Sequence, residues 1–251
     1  MKIAVTGKGG VGKSTITALL ARILSELNKE VILIDADPDM NLAGILGISD
    51  DKALTPIVEL KDVIAERTGT TAGTPAPIFK LNPKVDDLPE KYWVDFHGIK
   101  FLIMGTIKQG GAGCACPENA FLKSFLSYLL INRQEYVILD MEAGIEHLGR
   151  GTAIGVEKLL VIVEPSKSSL DTAGRIKKLA GDIGIQNLFV IVNKIKSEDE
   201  LGYVKKALVD YNVLGYINYC NELGRINMGL NSALTIQSSI IEEVKKIINE
   251  F

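Results

Sequence analysis

The chain of 251 residues has only three cysteines, two histidines, one tryptophan and no excess of positive charge, and each scarcity removes a class of function. Three cysteines in a chain of this length do not make a disulfide framework. With 28 basic and 31 acidic side chains the net charge is −3, which offers no electrostatic footprint for DNA, RNA or an anionic membrane. No apolar run approaches the ~18 residues of a membrane span, and the stretch from Met1 leaves no room for a signal-peptide core before polar residues begin. A cytoplasmic protein without nucleic-acid or membrane partners is expected. Hydrophobic, charged and aromatic fractions are those of an ordinary globular chain, with no internal repeat, and the length allows one large domain over residues 1–251.

What is present begins at once. The apolar run Ile3-Ala4-Val5 leads into Gly7-Lys8-Gly9-Gly10-Val11-Gly12-Lys13-Ser14-Thr15, which opens a helical pattern. Glycines let successive backbone N–H groups turn toward a phosphate, and the helix N-terminus adds a favourable dipole. Lys13 and Ser14 stand where an ammonium and a magnesium-ligating hydroxyl are needed. Residues Gly9 to Thr15 are therefore candidate nucleotide-binding residues. Gly7-x-Gly9-x-x-Gly12 also satisfies the dinucleotide fingerprint, with Asp35 as its ribose acid, but that reading has no use for Lys13 and Ser14. A triphosphate explains them together with the glycines.

Lys8, inside the loop, resembles the signature lysine of the deviant Walker A group, the family of MinD, ParA and the nitrogenase iron protein. The resemblance implies a dimer that sandwiches ATP, with Lys8 reaching the partner's phosphates.

Short β-branched runs alternate with amphipathic stretches. Ile3 to Thr6, Val31 to Ile34, Ile99 to Met104, Tyr136 to Leu139, Leu159 to Val163 and Leu188 to Val192 read as strands buried on both faces. Helical patterns begin near Lys13, Glu118, Leu170 and Asp199. This predicts an α/β fold with a doubly wound, mostly parallel sheet flanked by helices, and the resemblance carried by Lys8 implies a P-loop NTPase of the deviant Walker A type. Ligands then belong at the carboxyl ends of the strands, where the chemically interesting residues cluster. Residues 68–98 break the rhythm and hold four of the eight prolines. They read as an irregular insertion, either a functional lid or partner surface, or a surface loop.

Magnesium takes hard oxygen ligands, and Asp35, Asp37, Asp39 and Asp140 supply carboxylates at strand ends. Asp37, in Asp35-Ala36-Asp37-Pro38-Asp39, resembles the family's switch I aspartate, which positions the attacking water; with Lys8 and Lys13 it makes up the candidate catalytic set. Asp140-Met141-Glu142-Ala143-Gly144 resembles switch II, which implies that Asp140 holds Mg²⁺ through water, beside Ser14 and with Asp37 as a further candidate ligand. In this family an asparagine at the position of Asn193 reads the adenine edge; a turn-forming asparagine is the alternative.

A second chemical centre is Gly113-Cys114-Ala115-Cys116-Pro117-Glu118-Asn119. Pro117 suits the first position of a helix, which puts Cys116 at or beside the N-cap, where dipole and free N–H groups favour thiolate. Two thiolates do not close a four-coordinate site, and neither His97 nor His147 is near in sequence. Two-fold pairing of the loops would bring four sulfurs together, suitable for Zn²⁺, Ni²⁺ or an iron–sulfur cluster. Cys220 has no partner nearby and reads as structural.

With both centres in view the chain resembles the CooC type of ATPase, the nickel-insertion accessory proteins of carbon monoxide dehydrogenase. The motifs that carry the resemblance are KGGVGKS, DADPD, the GCACPEN segment and DMEAGIEHLGRG. It implies a homodimer that binds ATP and Mg²⁺ and holds Ni²⁺ or Zn²⁺ at the interface through Cys114 and Cys116. It also implies apo carbon monoxide dehydrogenase as the client. Three alternatives stand beside it. One is a MinD/ParA-like switch regulator, for which the C-terminal stripe Ile240, Val244, Ile247, Ile248 and Phe251 would have to be a membrane helix rather than a packed one. The others are an iron-protein-like electron donor and a maturation ATPase for an iron–sulfur site or acetyl-CoA synthase.

Overall fold

The computed structural model describes residues 1–49, 54–70, 78–105, 117–145 and 150–251. The strands are β1 (Lys2–Gly7), β2 (Val31–Asp35), β3 (Val94–Phe96), β4 (Ile99–Ile103), β5 (Tyr136–Asp140), β6 (Lys158–Val163), β7 (Leu188–Ile195) and β8 (Asn212–Asn218). The helices are α1 (Lys13–Glu26), α2 (Leu42–Leu46), α3 (Lys61–Thr68), α4 (Pro89–Tyr92), α5 (Pro117–Ile131), α6 (Arg150–Ala153), α7 (Lys167–Ile183), α8 (Glu198–Ala207), α9 (Asn221–Asn227) and α10 (Ile240–Asn249).

Among the described residues the strands form one sheet in the order β3-β4-β2-β5-β1-β6-β7-β8. Every pairing is parallel except the short edge strand β3, which runs antiparallel to β4. The predicted doubly wound α/β sheet is what the chain forms. Its central strands are rich in β-branched and other aliphatic residues and buried on both faces, as crossover helices require.

Alternation along the strands divides the core in two. Ile3, Val5, Val31, Leu33 and Ile138 face a layer closed by α1, α2 and α10. Ala4, Ile32, Ile34, Val137 and Leu139 face the opposite layer, closed by α5 and α7. In α1, Ile16, Leu19, Leu20, Ile23 and Leu24 repeat at helical spacing and are buried. In α5, Phe121, Phe125 and Leu129 do the same on the other side.

The C-terminal stripe is packed. Ile240, Ile241, Val244, Ile247 and Ile248 of α10 are buried in the layer that α1 shares. Gly215 of β8 is what lets the helix approach, since a Cβ there would stand 2.5 Å from Ile247 Cγ1. The apolar face is thus committed to the sheet, and among the described residues no helix is long and apolar enough to cross a membrane.

Several elements were not expected from the pattern, among them β8, α4 and β3. Strand β8 is only partly buried and carries Gly215, Tyr216 and Asn218, so its alternation is weak. Within the stretch read as irregular, residues 89–92 form α4 and 94–96 form β3. The segment leading to α4 is tied to α3 by Arg67, whose guanidinium donates to both Asp87 oxygens at 3.0 and 2.9 Å, and by Thr68, whose carbonyl accepts from Lys80 N at 2.9 Å.

Candidate functional site

The carboxyl ends of β1, β2 and β5 open on one cleft of about 680 Å³. Gly9, Gly10, Gly12, Lys13, Ser14 and Thr15 line it from the loop after β1, and Asp37, Pro38 and Asp39 from the loop after β2. Glu142 and Ala143 line it from the loop after β5, and its far wall includes Asn41, Gly44, Ile45, Ile226 and Gly229. The topology therefore brings together three segments more than a hundred residues apart at their extremes, at the carboxyl ends of the strands where open α/β sheets bind ligands.

The loop is held from behind. Gly7 has φ +149° and sits so close to β6 that a Cβ would come within 2.3 Å of Ile162 O. Gly12, at φ +95°, is the N-cap of α1. The Val11 carbonyl accepts from Asn193 Nδ2 at 2.8 Å, the Gly10 carbonyl from Lys194 Nζ, and the Gly12 carbonyl from Ile16 N at 3.0 Å. A trans peptide sets its N–H opposite its C=O, so tying the Val11 carbonyl outward directs the Gly12 N–H the other way. Val11 itself is fully buried, leaving its side chain a packing role.

Lys13 is 7% exposed and its charge acts on Asp140, which is fully buried. Asp140 Oδ1 lies 3.2 Å from the Thr17 hydroxyl, and the carboxylate also accepts from the Ser14 hydroxyl. Its other oxygen, Oδ2, is buried with no hydrogen-bond partner. An orphaned carboxylate oxygen next to a serine hydroxyl and a glycine-rich loop is what a partly hydrated Mg²⁺ needs, so these residues fit the ion. Burial raises the Asp140 carboxyl to about 6 against the opposing effects of the Ser14 bond and Lys13. The segment after it is pinned to β1 through Thr6 Oγ1, which lies 2.9 Å from Glu142 O and 3.0 Å from Gly144 O.

Asp37 and Asp39 reach the cleft, whereas Asp35 is 0% exposed and does not line it. Burial first, and the adjacent Asp140 charge second, push the Asp35 carboxyl up to about 7. Lys8 turns away from the cleft, donating to Ser168 Oγ of α7 at 2.8 Å, beside a second hollow lined by Gly144, Thr172 and Arg175.

Asn193 is 1% exposed and absent from the cleft wall. Its Nδ2 donates to Val11 O, and its Oδ1 accepts from Lys194 N at 2.9 Å, with Lys194 in the left-handed region at φ +64°. Both ends of the amide thus make hydrogen bonds inside the protein, an arrangement that serves the turn and the loop. Thr6, Thr17, Lys194 and Ser168 carry no motif and were invisible in the sequence. Cys114, Cys116 and His147 lie outside the described residues. Among the described residues no group of three or more His, Cys, Asp or Glu is placed to hold a metal ion.

Residues 2–229 match the CbiA family, the CobQ/CobB/MinD/ParA nucleotide binding domain. The chain is 48% identical over 221 residues to the carbon monoxide dehydrogenase accessory protein CooC of Rhodospirillum rubrum, covering 87% of this chain and 84% of that one. It is 45% identical over 251 residues to an uncharacterized ATP-binding protein of Methanocaldococcus jannaschii, covering 99% and 96%. Among solved structures, the MinC:MinD cell division complex of Aquifex aeolicus superposes with a TM-score of 0.72 over 99% of this chain and 94% of that one, at 24% identity, a likeness of fold. The chain belongs to the CobQ/CobB/MinD/ParA nucleotide-binding family and, within it, to the CooC type of ATPase.

Proposed function

We propose that the protein is an ATP-hydrolysing maturation factor for carbon monoxide dehydrogenase that works as a homodimer and delivers nickel to the apo-enzyme. The observation that carries the ATPase half is the convergence of the glycine loop, Lys13, Ser14 and Asp37 on one cleft, with the buried, orphaned Asp140 carboxylate hydrogen-bonded to Ser14 beside it. The similarity to CooC supports the client.

In this reading residues 1–251 act as one ATPase domain in the cytoplasm. The backbone of Gly9 to Ser14 and the side chain of Lys13 bind the β- and γ-phosphates, and Thr15 lines the same end of the cleft. Ser14 holds Mg²⁺ directly and Asp140 through water, with Asp37 near enough to the same end of the cleft to contribute. Mg²⁺ held by these residues would supply positive charge beside the phosphates. Asp37 orients the attacking water. Lys8, once released from Ser168, supplies positive charge to the phosphates of the second subunit, so that turnover requires the dimer. Cys114 and Cys116 of two subunits provide four thiolates for the transported Ni²⁺, a set that also accepts Zn²⁺. Hydrolysis then shifts the equilibrium between subunit arrangements and releases the metal.

The test is anaerobic equilibrium binding of Ni²⁺ to the reduced protein, with solution mass measured at each metal ratio, with and without ATP. One metal per two chains with a monomer-to-dimer shift, lost in Cys114→Ala and in Cys116→Ala while ATP binding persists, supports the proposal. Tight stoichiometric Ni²⁺ binding retained by both variants would remove the Cys-x-Cys site from it.

A further inference from the structure

We infer that Asp35 is a positioning residue for ATP hydrolysis: its two carboxylate oxygens staple both ends of the segment that carries Asp37 and thereby set where the Asp37 carboxylate stands over the phosphate loop. The inference rests on the reading of Asp37 as the group that orients water.

The geometry begins with register. Asp35 ends β2 and pairs with Asp140, which ends β5. Its backbone is fixed on both sides, since Asp35 O accepts from Met104 N at 2.8 Å and the next residue, Ala36, donates to Asp140 O at 2.9 Å. The side chain is fully buried and outside the cleft wall. From that fixed point Oδ1 accepts from Asp37 N at 3.1 Å and Oδ2 accepts from Leu42 N, the first residue of α2, at 3.0 Å. The two donors bracket a reversal of the chain. Within it Asp37 O accepts from Met40 N at 3.1 Å, Asp37 Oδ1 accepts from Asp39 N at 3.1 Å, and Met40 takes φ +47°.

The bracketed residues themselves are largely in solvent: Pro38, Asp39, Met40 and Asn41 are exposed. A loop so exposed has little packing to keep one shape, and the two bonds to Asp35 are its ties to the rigid sheet. Burying an acid beside a second buried acid is costly, and an apolar residue would fill the same space at less expense. What an apolar residue lacks is two acceptors at one point, aimed at two backbone N–H groups five residues apart in the chain. That need is peculiar to holding the loop. An error of about 1 Å in the placement of a catalytic group costs on the order of a hundredfold in rate, so the staple bears on turnover more than on nucleotide affinity.

The test compares Asp35→Asn, Asp37→Ala and the double variant of the full chain. The readouts are kcat and KM for ATP, affinity for a fluorescent non-hydrolysable ATP analogue, and Tm. An asparagine keeps the volume but offers one acceptor and sets its NH₂ against a backbone donor. Asp35→Asn is expected to lower kcat about tenfold or more, with analogue affinity within about threefold of the parent and Tm not reduced; added to Asp37→Ala it should change kcat less than about twofold. Losses that multiply in the double variant, an unchanged kcat, or a kcat loss that merely follows lost affinity and Tm would overturn the inference. If Asp37→Ala is inactive and Asp35→Asn is normal, the Asp35 inference alone fails; if Asp37→Ala hydrolyses ATP normally, the reading of Asp37 fails and this one with it. Should Asp35→Asn not fold, hydrogen exchange in the unmodified protein decides: protected amides at Asp37 and Leu42 support the staple, and exchange there at the rate of an unstructured chain overturns it.

Discussion

The side-chain amide of Asn193 donates to the Val11 carbonyl across 2.8 Å, joining the end of β7 to the inside of the phosphate loop. The neighbouring Gly12 is built around this bond, because a Cβ at Gly12 would stand 2.5 Å from Asn193 Nδ2. Asn193→Ala is expected to leave the buried Val11 carbonyl unpaired, at a cost of about 1–3 kcal/mol, and to lower ATP affinity roughly tenfold. Gly12→Ala should be worse, since it adds a clash to a left-handed φ. Urea unfolding and ATP titration of both variants check this; unaltered ATP affinity in Asn193→Ala would show that the loop keeps its shape without the brace.

Two lysines of one loop should separate cleanly. Lys13 lies in the cleft beside Asp140, whereas Lys8 is parked on Ser168. Lys13→Ala is expected to cost charge-assisted contacts worth about 1.5–3 kcal/mol, weakening ATP binding by roughly 10- to 100-fold. Lys8→Ala should bind ATP about as well as the parent yet fail to hydrolyse it and to form the nucleotide-dependent dimer. ATP titration and sedimentation with and without nucleotide provide the comparison, and normal turnover by Lys8→Ala would end its assignment.

Acid should loosen the far end of the sheet first. Arg133 donates to both Glu135 oxygens, at 2.5 and 3.2 Å, and Gln134 N donates to Oε2 at 3.1 Å. Burial pushes the Glu135 carboxyl up, but these bonds and the charges of Arg133 and Lys100 more than reverse it, holding it at about 2 instead of 4.5. A carboxyl depressed in the folded state contributes stability that is fully present above the unfolded value and is lost as pH falls through the folded one. Urea midpoints should therefore drop between about pH 5 and pH 2, and Glu135→Gln should flatten that drop. An identical pH slope in the variant would place the acid sensitivity elsewhere.

The parts of the fold that were legible in the sequence are those whose signal is local. The runs Ile3 to Thr6 and Leu159 to Val163 are apolar or β-branched along their length because both faces are buried, and they lie within β1 and β6. Strand β8 escaped because one side of the sheet ends there and its side chains answer to partial solvent, with Gly215 chosen for the approach of α10 rather than for strand propensity. The site divides in the same way. Gly9 to Ser14 announce a phosphate loop by spacing alone, but the destination of Asn193 depends on Val11, a partner 182 residues away, and no local pattern carries that. Asp35 and Asp37 look alike in the string; the sheet register decides that one is buried and the other lines the cleft.

The strand order also dictates a schedule. Strand β1 leaves the ribosome before the other strands of the sheet, yet its neighbours β5 and β6 begin at Tyr136 and Lys158, and α10, which shares the α1 layer, begins at Ile240. During synthesis β1 therefore lacks both of its strand partners until well over half of the chain has emerged, although α1 can already rest on β2 and α2. Parallel pairing at such separation is slow to form and exposes sticky surface while it waits. The phosphate loop hangs from that strand, so nucleotide-binding competence should arrive only after β5 and β6 have emerged. A nascent chain arrested before β6 should be a client for holding chaperones rather than an early-working ATPase.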